Sequence, residues 1–252
     1  MSQPVPQFSA APPVLVCYLA LDTSDSMSGE PLDVAAAELA RFWEAAREHP
    51  QLAVGCRLAL VTFDAEARLQ VPLTPAADLP RPPRLAATRP ATDYAAAFTL
   101  LRGLIAHDLT VLRGAGLRPS RPVVFLVTDG RPTRGAWPKA HAALTDPVWP
   151  DAPDVVAFGL GDAAEIALRR IGIAGAYLPA RASGERAVAP AGMLATFMSF
   201  LLTTLGGSLA GPRPGLVLPP QGSAGWRQIT PGEGSRAPLA APGIRAEIGR
   251  GA

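Results

Sequence analysis

Hydroxyl and carboxylate side chains alternate in one short stretch near the start of the chain. Residues 22–26 read Asp-Thr-Ser-Asp-Ser and directly follow an apolar run, Val14 to Leu21. Alternate side chains in a loop that leaves a strand can converge on one point, so Asp22, Ser24 and Ser26 could share a ligand. Oxygen ligands of this kind suit a hard cation such as Mg²⁺ or Mn²⁺. N-capping of a following helix is the alternative interpretation of the stretch taken alone.

Two more oxygen-bearing residues stand further along the chain. Thr92 lies at the end of a Pro-rich loop, just before a helical pattern, and Asp129 follows a second apolar run, Pro122 to Val127. Taken singly, each has an ordinary structural interpretation. Thr92 could cap the helix, and Asp129 could be a solvated turn residue before Gly130. A joint role requires a fold that brings both of them to residues 22–26.

Apolar periodicity predicts the elements that must position these residues. Near-continuous apolar runs are typical of strands covered on both faces, and stripes that repeat roughly every 3.6 residues are typical of amphipathic helices. The predicted strands are Val14–Leu21, Cys56–Phe63, Arg68–Leu73, Pro122–Val127, Val155–Leu160 and, as a weak edge strand, Ala176–Leu178. The predicted helices cover residues 31–47, 93–112, 137–144, 163–171 and 190–205. His49-Pro50 is expected to end the first helix.

Strands that alternate with helices indicate an α/β fold. We predict a Rossmann-like, doubly wound, mostly parallel sheet with helices on both faces. Arg68–Leu73 follows Cys56–Phe63 closely enough to form a hairpin, which would give the sheet one antiparallel edge strand. Ligands bind such sheets outside the carboxyl ends of the strands. We expect Asp22, Thr92 and Asp129 at that edge.

These positions and their order resemble the von Willebrand factor A-type (vWA) domain. The metal-ion-dependent adhesion site of that family has Asp-x-Ser-x-Ser, a distant Thr and a distant Asp, which match Asp22, Ser24, Ser26, Thr92 and Asp129. The resemblance covers about Val14 to Leu205. It implies the vWA fold and a Mg²⁺ or Mn²⁺ ion that hydroxyls bind directly, with at least one Asp acting through water.

The same resemblance implies what the site does. The metal would accept an Asp or Glu of a partner protein in its open coordination position, so the expected function is cation-dependent protein–protein docking. Many family members have Gly where this chain has Asp25, between the two serines. Asp tolerates unusual backbone angles, and its added charge could either attract the cation or repel an acidic partner.

A narrower resemblance and two alternatives concern the biological role. Thr92–Phe98 and Phe158–Asp162 look like segments of stand-alone bacterial vWA proteins of tellurium-resistance and stress-response systems. One alternative is an adaptor subunit of a MoxR- or chelatase-type AAA ATPase. The other is a metal-dependent hydrolase or phosphatase, which needs a base near the metal. The chain has only His49, His107 and His141 to offer as histidine bases, so we expect no enzyme activity.

Charged residues around the predicted site form a candidate partner-contact rim. Its members are Asp25, Arg89, Asp93, Arg131 and Arg134. Arginines in such positions would steer an acidic partner surface toward the site. Lys139 is the only lysine of the chain. A compositional bias toward arginine therefore also explains these side chains, as solvated loop charges.

Composition argues against several classes of protein. A formal net charge of +2 is too small to indicate a nucleic-acid partner, and a hydrophobic content of 48% indicates a sizeable core. The apolar runs are shorter than a membrane span, and Met1 to Pro13 contains no Lys or Arg of the kind that begins a signal peptide. We expect a cytoplasmic protein without a membrane partner.

Three segments are predicted along the chain. Residues 1–13 form an N-terminal extension, residues 14–205 the vWA domain and residues 206–252 a Gly- and Pro-rich tail. The tail is expected to be either disordered or docked on the domain. Leu216–Leu218 and Trp226–Ile229 are the parts of it that could pair with the sheet.

Overall fold

An eight-stranded sheet forms the centre of the computed structural model. The structure describes residues 13–87, 89, 91–133, 135–160, 165–180, 190–210, 214–218 and 225–229. The strands are β1 (Pro13–Asp22), β2 (Cys56–Phe63), β3 (Ala67–Pro75), β4 (Arg118–Pro119), β5 (Val123–Thr128), β6 (Asp154–Gly159), β7 (Gly175–Pro179) and β8 (Trp226–Ile229). Their spatial order is β3-β2-β1-β5-β6-β7-β8, and the short β4 pairs with the start of β1.

Strand direction gives the sheet its functional edge. β1, β2, β5, β6 and β7 run parallel, so their carboxyl ends meet at one edge. β3 pairs antiparallel with β2 and is the predicted antiparallel edge strand. The central strand β1 lies between β2 and β5, with Leu21 opposite both Thr62 and Val127. This register places the residues that follow β1 and β5 side by side.

Helices cover both faces of the sheet. They are α1 (Glu30–Glu48), α2 (Pro50–Gly55), α3 (Tyr94–Gly114), α4 (Trp137–Leu144), α5 (Glu165–Ile171) and α6 (Pro190–Leu209). On one face α1, α2 and α6 bury a core that includes Trp43 and Phe197. On the other face α3, α4 and α5 bury a second core that includes Phe98 and Leu168. The predicted doubly wound α/β fold is therefore confirmed.

Several elements differ from the sequence-based expectation. His49-Pro50 ends α1 as expected, but Pro50 also begins a further helix, α2, because proline suits a first helical position. The His49 side chain accepts a hydrogen bond from the backbone N–H of Leu52 at 3.4 Å and so caps α2. The last helix continues to Leu209.

The strand predicted over Ala176–Leu178 is not at the edge of the sheet, which corrects that expectation. β8 pairs antiparallel with it, so that a second antiparallel strand forms the edge opposite β3. This strand comes from the Gly- and Pro-rich tail, and its Trp226 is 1% exposed. The N-terminal extension up to residue 12, and tail residues 211–213, 219–224 and 230–252, lie outside the described residues.

Two helices are long and apolar enough to cross a membrane by length and composition alone. They are α3, Tyr94–Gly114, and the Gly192–Leu209 portion of α6. In the fold, each contributes residues to a core against the sheet, such as Leu101 on α3 and Leu201 on α6. Of the most apolar window in each helix, 33% is buried inside the domain in α3 and 50% in α6.

Candidate metal centre

The loop after β1 is shaped by its own backbone and by the Asp22 side chain. Asp22 is fully buried, and its Oδ1 accepts the backbone N–H of Ser24 at 2.9 Å. The loop then enters a short 3-10 turn, Asp25–Met27, in which the N–H of Met27 donates to the Ser24 carbonyl at 2.9 Å. The turn brings the hydroxyl oxygens of Ser24 and Ser26 to 3.2 Å from each other.

Asp129 meets this loop because β5 lies beside β1 in the sheet. The Ser26 hydroxyl donates a hydrogen bond to Asp129 Oδ1 at 2.8 Å, although 103 residues separate the two in the chain. Asp22, Ser24, Ser26 and Asp129 are thereby joined into one connected group of oxygen atoms. The half-buried Asp129 thus faces the first loop rather than standing alone as a turn residue.

Thr92 reaches the same place from the start of α3. The helix is capped by Asp93, whose Oδ1 accepts the N–H groups of Ala95 and Ala96 at 2.9 and 3.2 Å. Asp93 in turn donates its own N–H to the carbonyl of Asp64 at 2.7 Å, which anchors the loop to the end of β2. Thr92 itself is therefore not the capping residue, and its hydroxyl is free of that role.

A second contact fixes Thr92 to the loop after β5. The N–H of Thr133 donates to the Thr92 carbonyl at 3.1 Å, and the Thr92 N–H donates to the Thr133 hydroxyl at 3.2 Å. Gly130 lies close to both the Thr92 hydroxyl and the Asp22 carboxylate. A Cβ added to it would be 3.1 Å from Thr92 Oγ1 and 3.5 Å from Asp22 Oδ2. The absence of a side chain at Gly130 therefore keeps the space between these two oxygens open.

An open cavity of about 290 Å³ lies over this group at the carboxyl edge of the sheet. It is lined by Ser24, Asp25, Ser26, Ala91, Thr92, Gly130, Arg131 and Thr133. Of the residues that the sequence singles out as metal ligands, three line the cavity directly. Asp129 is joined to them by its hydrogen bond with Ser26, and Asp22 by its hydrogen bond from Ser24.

Burial disfavours the negative charge of both carboxylates. Burial raises the pKa of Asp22 to about 6, while hydrogen bonds from Thr128 and Ser24 act in the opposite direction and the charge of Asp129 adds to the increase. Burial likewise raises the pKa of Asp129, and its hydrogen bond with Ser26 partly offsets this. Among the described residues, no Arg, Lys or His forms an ion pair with either carboxylate.

These observations fit a divalent cation. A buried carboxylate without a basic partner is stabilised by a metal ion, and the neighbouring hydroxyls supply further hard oxygen ligands. Asp22, Ser24, Ser26, Thr92 and Asp129 are the side chains that would hold the ion. Within the described part of the chain, no cluster of three or more His, Cys, Asp or Glu could do so. A metal site at this position would therefore use the hydroxyls of Ser24, Ser26 and Thr92 and the carboxylates of Asp22 and Asp129.

The rim residues have different roles in the fold. Asp25 and Arg131 are exposed and line the cavity. Arg89 forms an ion pair with Glu66 at 2.5 Å, and Asp93 is 8% exposed and caps α3. Arg134 lies outside the described residues. The structure thus brings two of these side chains, of opposite charge, to the mouth of the cavity.

Sequence reasoning did not single out several residues that shape the centre. Thr128 donates a hydrogen bond to Asp22 Oδ2, Tyr94 OH lies 3.1 Å from Thr128 Oγ1, and Thr133 holds Thr92 as described above. The sequence distinguishes Gly130 only as the residue that follows Asp129. Thr128 and Gly130 flank Asp129 directly, and Tyr94 follows Thr92 by two positions. Their closeness in sequence was the available indication, but it does not reveal which of them face the site.

The fold and centre together define a doubly wound α/β domain with an oxygen-lined cavity at the carboxyl edge of its sheet. Residues 17–131 match the family model of the von Willebrand factor type A domain. This segment of the chain is therefore similar to the von Willebrand factor type A domain. No protein with a curated description matches the sequence.

Several solved structures share the fold at low sequence identity. A von Willebrand factor type A protein from Catenulispora acidiphila is 17% identical, with a TM-score of 0.52 over 76% of this chain and 42% of that one. The ArnB paralog VWA2 from Sulfolobus acidocaldarius is 14% identical, with a TM-score of 0.50 over 76% and 46%. Proximal thread matrix protein 1 from the mussel byssus, solved with a zinc-occupied MIDAS motif, is 16% identical, with a TM-score of 0.50 over 79% and 48%. This chain spans less than half of each of these proteins.

Proposed function

We propose that this chain is a divalent-cation-dependent protein-interaction module, an adaptor without catalytic activity of its own. The observation that supports it is that Ser24, Ser26 and Thr92 line one open cavity, to which Asp22 and Asp129 are joined by hydrogen bonds with Ser24 and Ser26. When bound, the cation would offer an open coordination position to an Asp or Glu side chain of a partner protein. Mg²⁺ is the proposed ion and Mn²⁺ the substitute, because all of these ligands are hard oxygens.

The protein groups at the site limit how far the ion's charge is neutralised. Only Asp22 and Asp129 in the proposed ligand set carry negative charge, and the other members are neutral hydroxyls. A divalent ion in such a set stays attractive to an additional carboxylate. Ser26 and Asp25 are exposed at the cavity mouth, so a partner side chain has access to it.

A catalytic role is less well supported by the positions of the histidines. The buried His141 ring lies 3.0 Å from the Ile171 carbonyl through Nε2, and burial lowers its pKa. His49 caps α2, and His107 is exposed in the middle of α3. None of these three histidines lines the cavity, so the described residues offer no histidine base for a hydrolase.

The mouth of the cavity supports a partner with paired charges. Arg131 on the β5 side can attract the partner's acidic residue, while Asp25 on the β1 side favours a basic neighbour of that residue. The role in tellurium resistance or stress response rests on Thr92–Phe98 and Phe158–Asp162 alone. The neighbouring genes test this role. Tellurium-resistance genes beside this one would support it, whereas a gene for a MoxR-like ATPase would favour the ATPase-adaptor role.

Mn²⁺ binding and partner capture test the proposal with one pair of variants. Ser26→Ala removes an exposed hydroxyl of the site, and Ser28→Ala removes an exposed hydroxyl two residues away as the control. We expect calorimetry to show Mn²⁺ binding for the wild type and Ser28→Ala, and binding at least about tenfold weaker for Ser26→Ala. A tagged chain should then retain a partner from native lysate with Mg²⁺ and release it with EDTA.

Two results would contradict the proposal. One is a wild-type chain that binds no divalent cation, and the other is partner capture that is insensitive to both EDTA and Ser26→Ala. Phosphatase turnover that needs Mg²⁺ or Mn²⁺ and disappears in Asp22→Asn would replace the adaptor by the hydrolase. Asn keeps the shape of the side chain but removes its charge.

A further inference from the structure

A closed hydrogen-bond cluster lies directly beneath the metal centre. The Thr128 hydroxyl donates to Asp22 Oδ2, and Thr128 Oγ1 accepts the backbone N–H of Gly130 at 3.1 Å. The Tyr94 hydroxyl donates to the Gly130 carbonyl at 3.1 Å and lies 3.1 Å from Thr128 Oγ1. Thr128 and Asp22 are fully buried, and Tyr94 is 1% exposed.

We propose that Tyr94 and Thr128 are positioning residues of the metal centre. They act through Asp22 and Gly130, and neither belongs to the ligand set. This inference rests on the proposed cation binding and adds to it the residues that set the strength of that binding. Hydrogen bonds that orient a carboxylate ligand typically contribute to the metal affinity of the site.

Thr128 orients the Asp22 carboxylate from behind. Its hydroxyl holds Oδ2, while the Ser24 N–H holds Oδ1 at 2.9 Å, so both oxygens of the carboxylate have a fixed partner. A carboxylate held at both oxygens cannot rotate without losing a buried hydrogen bond, which is costly. The orientation in which Oδ2 faces the space beside Gly130 is therefore built into the protein.

Tyr94 fixes the backbone of Gly130, where a small shift matters most. The position of a Cβ on Gly130 is only 3.1 Å from Thr92 Oγ1 and 3.5 Å from Asp22 Oδ2. Movement of this backbone toward the centre would occupy the space between two proposed ligands. The hydrogen bond from Tyr94 to the Gly130 carbonyl and the one from the Gly130 N–H to Thr128 prevent such movement.

The Tyr94 ring is held rigidly enough for this role. It packs against the rings of Phe63, Phe98 and Trp137 with centroid distances of 5.9, 6.2 and 6.1 Å. Tyr94 is also the first residue of α3, two positions after Thr92. The Tyr94 hydroxyl thus connects the start of α3 with the loop that carries Asp129 and, through Thr128, with the Asp22 carboxylate.

Mn²⁺ affinity measured by calorimetry on the full chain tests this inference. Tyr94→Phe keeps the ring and removes the hydroxyl, while Thr128→Val keeps the shape and removes the hydrogen bond to Asp22. We expect the Kd for Mn²⁺ to rise about tenfold or more in Thr128→Val and severalfold in Tyr94→Phe. Thr128→Ser retains a hydroxyl and should recover most of the affinity lost in Thr128→Val.

Tyr177→Phe is the matched control. Tyr177 is also buried, but its hydroxyl has no hydrogen-bond partner among the described residues, so the substitution should leave Mn²⁺ affinity unchanged. Melting temperatures in EDTA separate positioning from folding. If Tyr94 is a positioning residue, Tyr94→Phe should remain folded at the temperature of the binding measurement. Its Kd for Mn²⁺ should then rise by more than the decrease in the folded fraction would produce.

The outcomes distinguish this inference from the proposed function. Wild-type protein that does not bind Mn²⁺ overturns both. Wild-type protein that binds while Tyr94→Phe and Thr128→Val bind equally well overturns the positioning role alone, as does an equal loss in Tyr94→Phe and Tyr177→Phe. If Thr128→Val does not fold, the comparison of Tyr94→Phe with Tyr177→Phe decides the question.

Discussion

Asp22 illustrates how a single residue connects the energetics of this domain with its chemistry. Its carboxylate is fully buried, and no basic side chain among the described residues forms an ion pair with it. Hydrogen bonds from Thr128 and the Ser24 N–H offset only part of the cost of burying a charge. A bound cation would offset the remainder, so the carboxylate that is costly to bury would also be the one that attracts the ion.

Gly130 is the residue at which steric space alone should control metal affinity. In Gly130→Ala the new methyl group would lie 3.1 Å from Thr92 Oγ1 and 3.5 Å from Asp22 Oδ2, within the space between proposed ligands. We expect the Kd for Mn²⁺, measured by calorimetry, to rise at least about tenfold. The loss of Mn²⁺ affinity should exceed the loss caused by removing a single hydrogen bond, because the methyl group would lie close to Thr92 Oγ1 and Asp22 Oδ2 at the same time.

Gly135→Ala is the control for this prediction. Gly135 follows the same strand, and a Cβ there would meet no atom within 4 Å. The substitution should leave Mn²⁺ affinity at the wild-type value. Equal affinity in Gly130→Ala and Gly135→Ala would show that the ion does not occupy the space beside Gly130.

At the scale of elements, the edge of the sheet beyond β7 depends on a strand from the tail. β8 places Trp226 against Phe158 with a ring centroid distance of 5.0 Å. Phe158 also contacts Tyr177, Phe197 and Phe200, which lie on β7 and α6. β8 is therefore integrated into one of the two cores through this aromatic cluster, and the domain includes part of its own tail.

Removal of the Trp226 side chain should measure how much this docking stabilises the fold. Trp226→Ala deletes a side chain that is 1% exposed, and such deletions cost about 3–5 kcal/mol. We expect the free energy of unfolding in urea to fall by this amount. Arg227→Ala, on the same strand but with a side chain that is 54% exposed, should change it by less than about 0.5 kcal/mol. Equal, small effects of both would mean that β8 is not stably docked in solution.

At the scale of the whole molecule, the centre joins parts of the chain that lie far apart in sequence. Its proposed ligands come from the end of β1 and the loop that follows it, from the loop just before α3, and from the loop after β5. These elements belong to both faces of the sheet, since α1 follows the first loop and α3 covers the opposite face. An ion that binds all of them would stabilise the fold against unfolding as a unit.

Thermal unfolding with and without Mg²⁺ should measure how much a bound ion stabilises the folded state. A ligand at a hundred times its Kd stabilises the folded state by about 2.7 kcal/mol if it binds only that state. For a domain of this size we expect the melting temperature to rise by about 5–10 °C. Thr92→Ala should abolish most of the rise, whereas Thr99→Ala, an exposed position on the following helix α3, should keep it. A Mg²⁺-dependent rise of equal size in Thr92→Ala would argue that the ion binds elsewhere.

The sequence alone determined the framework and the chemical types at its functional edge. Continuous apolar runs predicted β1 and β5, because only strands covered on both faces bury such runs, and the residues after them had to lie at one edge. The types of Asp22, Ser24 and Ser26 then predicted a hard cation as the ligand, since ligand preference depends on the atoms that each side chain carries. These are local properties, and they are readable in order along the chain.

Tertiary structure alone decided which neighbours support that edge. Tyr94, Thr128 and Thr133 carry no pattern that separates them from ordinary core or loop residues. The hydrogen bonds from Tyr94 to Thr128, from Thr92 to Thr133 and from Thr128 to Asp22 span 34, 41 and 106 positions of the chain. The pairing of β8 with β7 likewise depends on a surface that α6 and β6 complete only after folding. Contacts of this kind follow from the packing of distant segments, and local residue patterns do not encode which segments will meet.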